Sequence, residues 1–274
     1  RIYKGKLKQI CLPGLNCYSC VGSLGSCPIG SLQAVIGRKG KVFSFYVIGF
    51  LLMIGSVLGR FVCGWLCPFG LIQDLLNKIP FPRKVRVLPK EKVLVKTKYI
   101  ILILFVLLLP IFFVNDIGNG APAFCKWICP VGTLEGGIPL VASNEALQQQ
   151  AGWLFVWKIS LLAVILFTSI IVYRPFCKLF CPLGAIYSLF NKVSMYRYRV
   201  NMDVCIGCGK CKQACKMNVN PVQDANHLEC IRCGNCKNAC PVNAIESGFF
   251  KYAPKENKYD AFSKSNNITD VDNL

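Results

Sequence analysis

Histidine is nearly missing from this chain: among 274 residues there is one, His227. That excludes haem held by paired imidazoles, His-rich zinc sites and the two-His iron triad, all of which need more imidazole than is present. Acidic residues are scarce too, with thirteen Asp and Glu against thirty-two Lys and Arg and a formal net charge of +19. Neither a Walker A element nor a G-x-G-x-x-G fingerprint occurs, which removes the two common nucleotide-binding loops. So basic a chain could serve nucleic acid. Its positive residues instead crowd beside apolar stretches, as membrane proteins place them, and a nucleic-acid role is set aside.

What the chain has in abundance is cysteine, eighteen residues, and apolar surface, at 54% hydrophobic composition and a mean hydropathy of +0.45. The cysteines recur at C-x-x-C and C-x-x-x-C-P spacings, which point to thiolate metal sites rather than to a disulfide scaffold. Three stretches, 42–62, 99–114 and 153–173, are apolar enough to predict membrane spans, the second of them short and carrying Pro110. None contains Asp or Glu, so no ion pathway of the kind pumps need is expected. The loop 68–98 is rich in Lys and Arg, whereas 115–152 holds only Lys126 against Asp116, Glu135 and Glu145. By the positive-inside tendency the first loop and the C-terminal half face the cytoplasm and the second loop faces out. Residues 1–41, with seven basic groups and no acid, then fall outside against that tendency. The chain opens at Arg1 rather than Met, so an upstream segment is expected.

The expected fold is a mainly α-helical membrane protein of three visible spans with a C-terminal α+β two-[4Fe–4S] ferredoxin domain. Its parts are an outer cysteine-rich segment 1–41, a membrane domain 42–198, the ferredoxin domain 199–250 and a flexible polar tail 251–274. In the ferredoxin part, three closely spaced thiols of each run hold one cluster and the fourth serves the other. Cluster one is therefore assigned Cys205, Cys208, Cys211 and Cys240, and cluster two Cys230, Cys233, Cys236 and Cys215. Lys216 stands where the first run would usually have proline. Paired zinc ribbons are the bland alternative.

An internal repeat strengthens the pattern: nineteen residues from Arg60 match nineteen from Arg174 at nine positions, an offset of 114. Each copy contains C-x-x-x-C-P-x-G, whose four-residue spacing puts both thiols on one helix face. Two thiols cannot complete a cluster, but Cys63, Cys67, Cys177 and Cys181 together can, at the inner membrane surface. Free thiols or a zinc site are the alternatives there. On the outer side Cys20, Cys27, Cys125 and Cys129 are the candidate set for a fourth cluster, with Cys11 and Cys17 as substitutes, and disulfides are the alternative. Arg60 and Arg174, just ahead of the inner pairs, read as cations snorkelling at the membrane edge or as hydrogen-bond donors to a cluster, which would raise its potential. Lys158 reads as another snorkelling side chain.

The segments G-L-N-C-Y-S-C, F-V-C-G-W-L-C-P-F-G, F-C-K-W-I-C-P-V-G and F-C-K-L-F-C-P-L-G, with the double ferredoxin run, resemble the membrane 4Fe–4S-binding polyferredoxins of the NapH and NosR type, over nearly all of residues 10–248. That resemblance implies an electron conduit linking a quinol or cytoplasmic donor to a redox partner at or across the inner membrane; some members assist oxidase or copper-site assembly. The extra cysteines at 11–27 and 125–129 depart from the simplest pattern and suggest a wire reaching the outer face. The other readings kept open are a maturation reductase for a metalloenzyme and a zinc-cysteine scaffold.

Overall fold

The computed structural model describes residues 10–17, 25–37, 45–82, 84–85, 91–113, 120–149 and 152–249; Cys20 and the tail expected over 251–274 lie outside them. Helix α1 (Pro28–Ile36) leads into the apolar α2 (Phe45–Leu58), then α3 (Phe61–Trp65), α4 (Pro68–Lys78) and the one-turn α5 (Glu91–Leu94). Helix α6 (Thr97–Ile101) widens into π-helical turns over Leu102–Leu108 and closes as α7 (Leu109–Phe112). After α8 (Ala123–Trp127) a second π-helical stretch, Gly132–Gly137, continues as α9 (Ile138–Ser143), followed by α10 (Glu145–Gln149). Pro110 and Pro139 each stand two residues past a π-helical stretch. Proline has no N–H and clashes with the carbonyl four residues back, and a widened turn absorbs both. The longest helix, α11 (Trp153–Ile171), precedes α12 (Pro175–Leu179) and α13 (Pro182–Phe190).

Three membrane spans do not form. Among the described residues only α11 is long and apolar enough to cross a bilayer; α2 has 14 residues and Thr97–Phe112 is likewise short, against the roughly 20 that a core about 30 Å thick requires. The apolar runs overcounted because they included residues that leave the helix: Gly59 turns out at φ +54° and Phe113 breaks the second at ψ 83°. Most of α11 is uncovered, and Trp153, Val156, Val164 and Phe167 are exposed along it.

The repeat pairs with itself. Asn77, in the first copy, donates to Ser169 O and Ile170 O at the end of α11, just before the second copy begins. Asn191, its equivalent, accepts from the Arg60 backbone N–H at the start of the first copy, at 3.0 Å. Each copy therefore fastens the helix end that leads into the other.

The C-terminal part is a small α+β unit: β1 (Tyr196–Val200) pairs antiparallel with β2 (Ile245–Phe249), Tyr196 opposite Phe249, with α14 (Lys210–Ala214) and α15 (Asn235–Asn238) packed together between them in sequence. It is clamped to the helices. A side chain at Gly64 would meet Ile231 O at 2.4 Å, so only glycine allows the contact. Arg232, buried, donates to Leu58 O, Asn191 O and Ser194 Oγ at 2.7–2.9 Å. It occupies the left-handed region at φ 54°, where the matching position of the first run has Gly207 at φ 67°. That conformation costs a non-glycine residue about 1–2 kcal/mol, and three charge-assisted hydrogen bonds offset it.

Candidate metal centres

The two cysteine runs of the α+β unit fold alike. Gly209 and Gly234 both take positive φ, as do Asn218 and Asn243, the third residue after Cys215 and Cys240. In each turn the Asn N–H returns to the cysteine carbonyl and the next N–H, from Val219 or Ala244, donates to the cysteine Sγ at 3.4 and 3.3 Å. Lys216 therefore makes the same turn as Pro241. Cys205, Cys208, Cys211 and Cys240 line one cavity of about 200 Å³; Cys230, Cys233, Cys236 and Cys215 line a narrower one of about 20 Å³. The structure thus brings together both four-cysteine sets expected from spacing.

In the helical part the C-P-x-G element has a structural logic. Cys27, Cys67 and Cys181 are extended N-cap residues with proline at the start of the helix that follows, a position where proline loses no hydrogen bond. The glycine three residues on points its N–H back at sulfur, from Gly184 to Cys181 Sγ at 3.3 Å and from Gly132 to Cys129 Sγ at 3.4 Å. Such N–H groups at a helix start favour thiolate.

Cys63, Cys67, Cys177 and Cys181 are all buried and come together. Burial pushes the Cys177 thiol up to about 12, with Cys67 adding to the shift and Arg174 opposing it; burial raises the Cys63 thiol as well, against the pull of Arg60. A thiol group so crowded ionises only when something cationic binds it, which is the chemistry of a cluster-binding set. Arg60 and Arg174 do not extend into solvent, as snorkelling would require. Both are buried: Arg60 donates to Glu229 Oε2 at 2.7 Å and Leu228 O at 2.8 Å, and Arg174 grips Asp74 with two nitrogens while donating to Cys63 O and Gly64 O. Lys98 joins Arg60 on Glu229. Burial alone would raise the Glu229 carboxyl, but Arg60 and Lys98 outweigh it and hold the group below its ordinary value. The cations surround a place where thiolates collect. Two donors of Arg60, Nε and Nη2, have no protein partner.

The third set takes in Cys17, one of the two substitutes expected for it. Cys17, Cys27, Cys125 and Cys129 line a cavity of about 620 Å³, so Cys17 stands with the three favoured residues, and Cys20 lies outside the described residues. Cys11 points elsewhere, to Ser26 Oγ and Ser31 Oγ at 3.5 and 3.8 Å. Burial pushes the Cys125 thiol up to about 12, with Cys27 adding to it. No disulfide joins the described cysteines, and among the described residues no three His, Cys, Asp or Glu side chains converge on a point as a single ion requires. The thiols ring spaces instead, unlike a zinc tetrahedron with sulfur about 2.3 Å from the metal.

This set and the Cys63 set approach each other closely. Gly14 lies so close to Cys67 that an added Cβ would be 3.2 Å from its Cα. Three Cα steps of 3.8 Å then put Cys17 within about 16 Å of Cys67, half the thickness of the hydrocarbon core. Both sets share one apolar core, and Tyr187, fully buried, stands between them with its hydroxyl donating to Pro13 O at 2.9 Å. Near the start of α11, Lys158 donates to Cys125 O, so it is engaged rather than snorkelling; Arg174 lies three residues past the end of that helix.

Four side chains escaped the sequence reading although a signal was present. The sixth residue after the cysteine of each C-P-x-G copy is Gln33, Gln73, Glu135 and Tyr187. Each reaches across to another element: Gln33 Nε2 donates to Cys125 Sγ at 3.5 Å, Gln73 Nε2 to Cys177 Sγ at 3.2 Å, and Glu135 accepts from the Cys17 N–H at 2.9 Å. Extending C-P-x-G by three residues in all four copies would have exposed them.

Four groups of thiols, each with at least one N–H donated to a sulfur, define a multi-cluster iron–sulfur protein. The chain belongs to the 4Fe–4S binding domain family: one model of that description matches residues 26–45, 42–88, 97–138 and 153–199, and another of the same description matches 198–219 and 226–246. It is similar to an uncharacterized protein of Methanocaldococcus jannaschii, 30% identical over 74% of this chain and 78% of that protein. It is also similar to the ferredoxin-type protein NapH of Haemophilus influenzae, 28% identical over 60% of this chain and 50% of the relative. The regulatory protein NosR of Pseudomonas aeruginosa is 27% identical over 57% of this chain but only 20% of its own length. No solved structure matches. The protein is an iron–sulfur electron-transfer protein of polyferredoxin type that binds several [4Fe–4S] clusters.

Proposed function

We propose that the chain is a membrane-attached relay with four [4Fe–4S] sites in series, passing electrons between a cytoplasmic donor or quinol and a partner at or across the membrane. The ligand sets are Cys205, Cys208, Cys211 and Cys240; Cys230, Cys233, Cys236 and Cys215; Cys63, Cys67, Cys177 and Cys181; and Cys17, Cys27, Cys125 and Cys129. When bound, each cluster supplies reversible one-electron storage. The observation that carries the reading is the continuity of the sites: Ile231 O of the second rests against Gly64 beside the third, and Gly14 of the fourth rests against Cys67. Arg60, Arg174 and Lys98 supply positive charge where the third set collects its thiolates, which lowers the cost of burying them.

The ends of the series differ. Cys208 and Ile206 are exposed, with the exposed Lys210 and Lys212 beside them, an entry open to a soluble carrier. The Cys17 site lies toward the start of α11 and the Cys177 site toward its end. With α11 in a bilayer, as its length and exposed apolar surface favour, the series runs along the membrane normal.

Anaerobically purified protein should carry about sixteen irons with matching acid-labile sulfide, four cubes' worth. A full complement of about eight would leave only the α+β pair and sink the series. Cys17→Ser should then remove one EPR signal while Cys11→Ser leaves all of them, read by spin quantitation of the dithionite-reduced protein.

A further inference from the structure

The two helical sites share a device that, among the described residues, the α+β sites do not show, an amide side chain brought onto a cysteine sulfur from across the site. Gln73 follows Cys67 by six residues, yet its Nε2 lies 3.2 Å from Sγ of Cys177 in the other copy of the repeat. Gln33 follows Cys27 by six, and its Nε2 lies 3.5 Å from Sγ of Cys125. Both side chains are completely buried. Six residues past the cysteine, on the helix it caps, brings the side chain back to the face that carries the thiols.

The direction in which each amide points is set by its surroundings. Gln73 Nε2 also faces Phe69 O, and Gln33 Nε2 faces Ile29 O, both at 3.4 Å. A carbonyl and a sulfur are acceptors, so the side that meets them is the NH₂ side. For Gln33 the other end is fixed as well, because Oε1 accepts from the Phe124 N–H at 3.1 Å. Phe124 precedes Cys125, so one glutamine holds both the backbone and the sulfur of the same C-x-x-x-C element.

We propose that Gln33 and Gln73 are potential-setting residues: their side-chain N–H groups donate to a ligand sulfur of the N-terminal and the repeat site and raise the reduction potentials of those two sites. The inference rests on the ligand sets proposed above. A donor to a ligand sulfur withdraws electron density and favours the reduced, more negative state. In a buried site the effect is undiluted by water. At the repeat site Arg60 is poised to add to it, being fully buried and having two N–H groups without a protein partner.

The test is a potentiometric EPR titration of the full-length, cluster-replete protein and its variants. Gln73→Leu should lower the midpoint of one cluster, the one lost in Cys177→Ser, and leave the other three unmoved. Gln33→Leu should lower the midpoint of the cluster lost in Cys17→Ser. Gln73→Met and Gln33→Met, unbranched and close in volume, serve if leucine impairs cluster loading. One-electron midpoints lower by about 59 mV correspond to a tenfold loss in the preference for reduction, well within resolution. Selective ¹⁵N labelling of glutamine side chains gives an independent reading without substitution: a ¹⁵N hyperfine coupling should appear on both reduced signals. Retained clusters with unchanged midpoints, or no ¹⁵N coupling, would overturn the proposal. Wild-type protein with only two clusters would instead refute the ligand sets beneath it.

Discussion

Serine in place of Cys63 and serine in place of Cys177 are expected to remove one and the same cluster. The two residues are 114 positions apart in sequence, but burial, Arg174 and the sulfurs of Cys67 and Cys181 bring them into one electrostatic group. Each variant should lose about four of about sixteen irons, along with an identical component of the reduced EPR spectrum, while the signals of the α+β pair persist. The double variant should lose no more than either single one, because a shared site can be lost only once. Different missing components in the two variants, or additive iron loss in the double, would show that the copies of the repeat serve separate sites.

Arg232→Ala should loosen the α+β unit from the helices. The guanidinium satisfies Leu58 O, Asn191 O and Ser194 Oγ together, and alanine removes that donor from all three, leaving Asn191 O only the Ser194 hydroxyl. Each orphaned group costs about 1–3 kcal/mol, so a destabilisation of about 3–5 kcal/mol is expected in denaturant titrations of the detergent-solubilised protein. Lysine should not rescue, since a single ammonium cannot reproduce the planar fork. Arg232→Gly should be milder than alanine by about 1 kcal/mol, because glycine accepts φ 54° without strain. Lys210→Ala, on an exposed position, should stay within about 0.5 kcal/mol. A loss below 1 kcal/mol for Arg232→Ala would mean that the contact does not secure the unit.

Much of the site was legible in the sequence because ligation chemistry leaves a local signature. The eight thiols of the α+β unit sort into the two cavities that their spacing implies, and the 114-residue offset brought Cys63 and Cys67 to Cys177 and Cys181. The spans were misread for a different reason. Hydropathy records how apolar a stretch is and not where the helix stops, so Gly59 and Phe113, which end two of the helices early, were invisible to it. Charge misled in a similar way: Arg60 and Arg174 read as snorkelling cations because their partners, Glu229 and Asp74, lie 169 and 100 residues away. Cys17 could not be chosen over Cys11 by spacing, because the choice depends on the chain path that carries it to the Cys129 turn, where the space beside Gly132 is shared by both sulfurs.

The glycine at position 64 has a dynamic consequence. With no side chain to hold the surfaces apart, the peptide of Ile231 rests directly on α3, and the guanidinium fork locks that contact on its other side. Many electron carriers with tethered cluster modules depend on a swinging arm, and their turnover slows as the solvent thickens. Here the module has no arc to swing through. Passage between the second and third sites is therefore a matter of fixed separation, and added glycerol or sucrose should leave its rate unchanged while slowing only the arrival of whatever soluble carrier meets the exposed Cys208 loop.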